Sequence, residues 1–123
     1  MTALGAPAAV GPYSHAVRAG SLLFCSGQTP LDPDSGELVG KDVAAQATRC
    51  LENLQVVCAA AGATLADAVR LTVYVTDMGT FGAVNEAYQR FFESDPPARV
   101  TVGVAALPLG AQVEIDAIVA LPG

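Results

Sequence analysis

The chain reads DVAAQATRCLENLQVVCAAAG at residues 42–62. Asp42 is a favoured residue immediately before the first turn of a helix, and Gly62 is favoured just after the last turn. The apolar residues between them recur every three or four positions, as one face of a helix requires: Val43, Ala47, Cys50, Leu51, Leu54, Val57, Cys58 and Ala61. The polar residues fall largely away from this stripe: Gln46, Arg49, Glu52, Asn53 and Gln55. The segment therefore predicts a long amphipathic helix.

The segments around this helix predict strands, turns and a second helix. Before the helix, the sequence predicts a hairpin of strands 13–18 and 22–26 and a Gly/Pro-containing loop 27–40. After the helix it predicts a capping-box turn 64–67, a strand 69–76 and a second helix, begun by Thr80 and stopped by Pro96-Pro97. Strands 99–104 and 113–120 come last. The order ββαβαββ favours an α+β fold with one sheet and both helices packed on one face. With 123 residues, we expect one domain, 1–123.

Composition limits the possible partners. Hydrophobic residues make up 52% of the chain and charged residues only 15%, so we expect another subunit to cover part of the surface. The net charge of −6 disfavours nucleic-acid binding, which needs a basic face. No apolar run approaches a membrane span, and no basic-then-apolar segment opens the chain. The expected location is therefore the cytosol.

The cysteines and the single histidine give little support to other chemistries. Cys50 and Cys58 lie eight residues apart on the predicted helix, about 12 Å along its axis, which is too far for a disulfide. We expect buried thiols and no metal site, because no Cys-x-x-Cys pair is present.

His15 is expected to lie exposed on an edge strand, with ligand contact as the alternative. A Ser-His-Asp or Cys-His hydrolase would need this one imidazole, and no nucleophile motif surrounds it.

Arg99 and Glu114 are isolated charges in apolar strands. No charged residue lies between Val100 and Gln112. Strand alternation with the valines facing the helices predicts that Arg99 and Glu114 share the opposite face of the sheet. Pairing Val104 with Val113 in an antiparallel register places them about 13 Å apart. The pair is then either an anion-binding site with room for a small ligand, or an arginine that forms a structural contact across an interface.

Several motifs, in their order and spacing, resemble the reactive intermediate deaminase (RidA/YjgF) family: Gly11-Pro12-Tyr13-Ser14, Ser26-Gly27-Gln28-Thr29-Pro30, Pro97-Ala98-Arg99, Leu107-Pro108 and Val113-Glu114-Ile115-Asp116-Ala117. The resemblance implies a chorismate-mutase-like α+β subunit with a single mixed sheet, and homotrimers with active sites between subunits. It also implies hydrolysis of 2-imino acids, such as 2-iminopropanoate and 2-iminobutanoate, to 2-keto acids and ammonia without a cofactor.

The resemblance also implies roles for particular residues. Arg99 matches the arginine that holds the substrate carboxylate, a role that suits the bidentate guanidinium. Glu114 matches the acid that positions or deprotonates the attacking water. Tyr13 and Ser26 match two further site residues that orient water and substrate. These four are the predicted catalytic residues.

Gly27 and Thr101 complete the predicted substrate-binding set with Arg99. Gly27 offers a backbone N–H where a side chain would obstruct, and Thr101 is expected to place its backbone beside the imine. Thr101 stands where many members of the family carry cysteine, and His15 stands where many carry glutamine. The segment 93–96 is shorter than in many relatives, which reshapes one wall of the cleft.

Two other functions remain open at the level of sequence. One is a non-catalytic trimer that binds small carboxylates or protein clients, which the apolar composition favours. The other is translation inhibition or ribonuclease action, which has been attached to some relatives and which the acidic balance of this chain opposes.

Overall fold

The computed structural model describes residues 1–122 and contains one five-stranded sheet with two helices. The elements are β1 (Ala16–Ala19), β2 (Leu22–Gln28), α1 (Val43–Ala60), β3 (Ala68–Val75), α2 (Phe81–Gln89), β4 (Ala98–Gly103) and β5 (Val113–Ala120). The predicted α+β class, with one mixed sheet and both helices on one face, is confirmed. Among residues 1–122, no helix is long and apolar enough to cross a membrane.

The strands lie in the order β1-β2-β5-β3-β4. All neighbours are antiparallel except β3 and β4, which run parallel and are joined through α2. The expected pairing of Val104 with Val113 is wrong, because β5 lies between β2 and β3 while β4 occupies the far edge. Val113 pairs with Val75 instead. The last two strands in the sequence are therefore not neighbours in the sheet.

Helix α1 forms as predicted and supplies much of the core. The Asp42 side chain accepts a hydrogen bond from the Ala45 N–H at 2.8 Å and so caps the first turn. Gln46 and Asn53, expected on the polar side, are buried. Their amides bind loop backbone: Gln46 accepts from the Gln112 N–H at 2.9 Å, and Asn53 donates to the Leu31 carbonyl at 3.0 Å. These bonds attach the loop after β2 and the loop before β5 to the helix.

Helix α2 begins and ends differently from the prediction. A short 3-10 turn, Met78–Thr80, precedes it, and Asp77 caps this turn by accepting from the Gly79 N–H at 2.8 Å. The Thr80 side chain makes no capping bond to the helix. The helix ends at Gln89, well before Pro96-Pro97, so a non-helical segment leads into β4.

The two faces of the sheet differ from the sequence-based placement in one important respect. Leu71, in β3, is fully buried under the helices and pairs with Arg99 in the parallel register. Because paired residues point to the same face, Arg99 lies on the helix side. Glu114 pairs with Tyr74, whose side chain points to the opposite face from Leu71. The expectation that Arg99 and Glu114 share a face is therefore wrong.

The face away from the helices, called here the outer face, exposes apolar side chains. Val17, Phe24, Val100 and Val102 are exposed to 56%, 44%, 42% and 37% respectively. Val100 and Val102, expected to face the helices, thus belong to this surface. The residues on the water-facing side of a sheet are normally polar. The apolar outer face therefore has the composition of a contact surface.

His15 is buried, not exposed, with 4% of its surface accessible. Its Nδ1 accepts from the Ala3 N–H at 2.8 Å, which leaves Nε2 as the donor to the Pro7 carbonyl, also at 2.8 Å. The imidazole therefore fastens the segment 3–7 against β1.

The three cysteines are buried, as predicted, and burial raises the pKa of the Cys50 thiol.

Candidate functional site

A β-bulge shapes the sheet beside Glu114. Cys25 pairs with Ala117 and Gln28 with Ile115, so Ser26 and Gly27 together face Asp116 alone. A bulge redirects the local backbone and side chains, and such irregularities recur next to active sites. Gly27 is packed against Glu114: a Cβ at this position would lie 2.9 Å from the carboxyl carbon. Only glycine lets the Glu114 carboxylate lie against the strand here.

A cavity of about 340 Å³ opens in front of this bulge, on the outer face. Its walls combine polar and apolar groups: Val10, Tyr13, Ser26, Gly27, Thr29, Pro108, Leu109 and Glu114. The Ser26 hydroxyl donates to the Ser14 carbonyl at 2.7 Å, which ties the loop before β1 to the bulge. The Tyr13 hydroxyl accepts from the Val10 N–H at 3.4 Å and keeps its own proton for another acceptor. Four predicted site residues, Tyr13, Ser26, Gly27 and Glu114, thus meet at one cavity.

The surroundings of the Glu114 carboxyl disfavour its negative charge. Burial, together with the negative charge of Asp116, raises its pKa above the usual range for glutamate. Asp116 is held in place on the same face by the Tyr74 hydroxyl, which donates to it at 2.9 Å. The one ion pair within residues 1–122, at 3.6 Å, joins Arg49 and Glu52, so no cation of this chain neutralises Glu114. Within the same residues, no cluster of three His, Cys, Asp or Glu side chains is placed to hold a metal ion.

Arg99 lies on the other face, on an aromatic platform provided by α2. Its guanidinium carbon is 4.8 Å from the centre of the Tyr88 ring and 5.4 Å from that of Phe81. Tyr88 stacks in turn on Phe92, with ring centres 4.7 Å apart. Cation–π contacts of this kind fix the guanidinium without using its N–H donors. The donors therefore remain available for an anion.

Thr101 follows Arg99 along the same side of β4. The Val104 N–H donates to the Val75 carbonyl at 2.8 Å, so the backbone groups of Val104 face β3. Backbone hydrogen-bonding groups alternate sides along a strand, which directs the N–H and C=O of Thr101 to the free edge of the sheet.

Two buried polar atoms on α2, Asn85 Oδ1 and the Tyr88 hydroxyl, have no hydrogen-bond partner within residues 1–122.

The predicted residues therefore form two separate groups. We call Tyr13, Ser26, Gly27 and Glu114 the acid half, and Arg99 and Thr101 with their aromatic platform the arginine half. Strand β3 lies between the strands that carry the two charges. Arg99 of β4 aligns with Leu71 of β3, and Glu114 of β5 aligns with Tyr74 of β3. This places their backbones about 10 Å apart along the strands and about 10 Å across them, on opposite faces. One chain does not bring the two halves together.

The sequence reasoning missed other residues of both halves. Val10, Thr29 and Leu109 line the cavity, and Phe81 lies under Arg99. The Leu107-Pro108 motif pointed to the right loop, but not to the residue after it. Phe81 is one of several apolar residues in the α2 segment, and spacing does not distinguish an apolar residue that packs in the core from one that supports a cation.

Comparisons with known proteins agree with this arrangement of fold and motifs. Residues 3–121 match the family model described as Endoribonuclease L-PSP. Protein DfrA of Myxococcus xanthus is 56% identical over 115 residues, covering 92% of this chain and 88% of that protein. The 2-iminobutanoate/2-iminopropanoate deaminase of Mus musculus is 48% identical, covering 92% and 84%. The crystal structure of RidA from an Antarctic Psychrobacter superposes with a TM-score of 0.93 at 41% identity, covering 98% of this chain and 99% of that one. The chain belongs to the RidA/YjgF family.

Proposed function

We propose that this protein is a hydrolase that converts 2-imino acids to 2-keto acids and ammonia, at sites formed between the subunits of a homotrimer. The observation that carries the proposal is that Glu114, in a cavity, and Arg99, on an aromatic platform, both lack an ion-pair partner within residues 1–122. A 2-imino acid needs both groups: a cation for its carboxylate and a base for the water that attacks C2. The name of the mouse relative supports this substrate class.

The opposite faces of the two halves support a site shared between subunits. The exposed apolar outer face, which carries the acid half, needs a cover, and the free edge of β4 carries the arginine half. Packing the edge of one subunit on the outer face of the next buries Val100, Val102 and Phe24. It also brings Arg99 of one copy toward Glu114 of another. A closed cyclic assembly repeats this contact without leaving an edge open.

The proposed reaction uses only the groups of this chain. Arg99 binds the substrate carboxylate through paired charged hydrogen bonds. Glu114 accepts a proton from water as the water oxygen adds to C2 of the imine, and Glu114 then delivers this proton to the nitrogen, which regenerates the carboxylate. The resulting aminoalcohol then loses ammonia, and C2 becomes the carbonyl carbon of the keto acid. The Tyr13 hydroxyl orients the water, while Ser26 holds the loop through Ser14.

A coupled assay tests this function directly. An L-amino-acid oxidase generates the imine of alanine or 2-aminobutyrate, and semicarbazide traps whatever imine remains. We expect the protein to lower the yield of semicarbazone and to hasten release of the keto acid and ammonia. Imine lifetimes equal to those in buffer would contradict a deaminase. Binding of 2-ketobutyrate without turnover would identify a carboxylate-binding trimer instead.

Mixing two inactive variants tests the shared site. Arg99→Ala and Glu114→Gln are co-expressed in equal amounts with different tags, and the mixed oligomers are isolated. In each mixed trimer, a single contact joins an intact Arg99 to an intact Glu114 of a neighbour, so a shared site regains both groups at about one site in three. We therefore expect about a third of wild-type activity. A site within one chain would leave every mixture as inactive as its parents.

The family model is described by ribonuclease activity, which the charges of this chain do not favour. Glu114 and Asp116 both lie on the outer face, and the net charge of the chain is −6. A phosphate backbone would be repelled from such a surface. RNA cleavage that survives both Arg99→Ala and Glu114→Gln would have to come from another site.

A further inference from the structure

The cavity of the acid half has an apolar side that the reaction itself does not use. Val10 and Leu109 are exposed to 72% and 60%, and with Pro108 they form the wall beside the reacting groups. They come from two different loops, one before β1 and one before β5. The volume of about 340 Å³ equals the share of roughly eleven liquid waters at ~30 Å³ each. That is far more than a three-carbon imino acid occupies.

Leu109 has an unfavourable backbone conformation for its side chain. Its φ of 61° and ψ of 18° lie in the left-handed region, which favours glycine. In residues 1–122 the other non-glycine residue with positive φ is Asp95, and aspartate tolerates this region better than leucine does. Strained residues are concentrated at functional sites, where their side chains serve a purpose. Here the side chain projects at the mouth of the cavity and belongs to none of the core packing.

We propose that Leu109, with Val10 and Pro108, forms a side-chain pocket that makes 2-imino acids with long or branched apolar side chains the preferred substrates. This inference rests on the proposed deaminase function and specifies its substrate class. Arg99 fixes the carboxylate and Glu114 fixes the face attacked by water, so the remaining substituent on C2 points to the remaining wall. An apolar wall favours a buried apolar substituent over a methyl group.

The test compares imines generated by an L-amino-acid oxidase from leucine, methionine and alanine. We expect kcat/KM for the leucine-derived imine to exceed that for the alanine-derived imine by about 10-fold or more, since one to a few methylenes in an apolar pocket discriminate by about 10–200-fold. Leu109→Gly should reduce this ratio by about 10-fold. It should do so without lowering the thermal unfolding midpoint, because glycine relieves the strained φ.

Two further variants make the result specific. Val10→Ser, on the opposite loop, should reduce the same ratio, whereas Leu4→Gly, at a position that is 92% exposed and outside the cavity, should leave it unchanged. A wild-type ratio at or below one overturns the inference while leaving deaminase activity intact. A loss of activity toward all imines together with a lower midpoint shows a structural Leu109 and also overturns it. No acceleration of any imine contradicts the proposed function itself.

Discussion

The acid half and the arginine half solve the same problem, holding a charge in an apolar protein, in opposite ways. Glu114 lies in a cavity shaped by a bulge, where burial and Asp116 raise its pKa. Arg99 lies on an edge strand and is held by ring faces that leave its hydrogen-bond donors free. The first environment makes its charge harder to form, which suits a base. The second leaves the N–H donors of the guanidinium free, which suits an anchor for a carboxylate.

The largest expected effect comes from removing Arg99, the proposed anchor of the substrate carboxylate. Arg99→Ala should lower kcat/KM by about 10²–10⁴-fold, because two charged hydrogen bonds contribute about 1.5–3 kcal/mol each. Arg99→Lys keeps the charge but loses the paired geometry, so it should recover only part of the activity. Steady-state kinetics with the alanine-derived imine measure both. Arg90→Ala, at an exposed arginine just after α2, is the matched control and should be unaffected; if Arg90→Ala loses as much, the arginine half is misassigned.

Removing Glu114, the proposed base, should lower turnover more than it weakens substrate binding. Glu114→Gln keeps the size of the side chain but cannot accept a proton, and general base catalysis contributes about 10²–10⁴-fold. We expect kcat to fall by about 10²-fold or more with KM changed little. Glu86→Gln, exposed on α2, controls for loss of a negative charge. A higher KM with an unchanged kcat would assign Glu114 to substrate binding, so that the two halves would no longer differ in role.

Gly27→Ala should disturb the acid half without disturbing the arginine half. The new Cβ would meet the Glu114 carboxyl, at 2.9 Å from its carbon, and force the side chain away from the water position. Misplacing a reacting group by about 1 Å can cost up to about 10²-fold in rate. Kinetics should show a lower kcat and a nearly unchanged KM. Gly82→Ala, on α2 with open space around it, should retain activity and slightly stabilise the fold; equal losses in the two variants would point to general destabilisation.

The smallest expected effect concerns the pH dependence of the base. Burial raises the pKa of Glu114 and the negative charge of Asp116 raises it further, and the activity of a general base is lost as the pH falls through that pKa. Asp116→Asn removes the negative charge, so the acid limb of the pH–kcat profile should move to lower pH. Tyr74→Phe frees Asp116 from its hydrogen bond and should change the same limb without abolishing activity. An acid limb that stays in place in both variants would show that burial alone sets the pKa of Glu114.

The sequence was sufficient where one physical rule dominated. Helix α1 has a capping residue and an unbroken apolar stripe, and β5 alternates cleanly along its length, so both were predicted within a residue or two. The face of β4 was not, because Val100 and Val102 are as apolar as core residues although they belong to an exposed surface. Alternation shows that two faces differ, but it does not show which of them packs on the helices.

The remaining errors come from contacts between distant segments. The sequence order of β4 and β5 suggested a hairpin, whereas α2 carries the chain across to a parallel pairing with β3. His15 was expected to lie exposed on an edge strand, but the segment 3–7, which has no periodic pattern to reveal its position, covers it. Arg99 and Glu114 stood out as isolated charges, the other site residues came from the family motifs, and their division between two faces required the strand register.

The edge position of β4 has a consequence for how the protein responds to dilution. A strand bonded on one side opens locally at a lower free energy than the strands in the centre of the sheet, so its amides exchange sooner with solvent. In the proposed trimer, the neighbouring subunit would cover this edge and slow the exchange at Thr101. The rigidity of the carboxylate anchor would then depend on protein concentration. Specific activity should decline on dilution before the fold itself is lost.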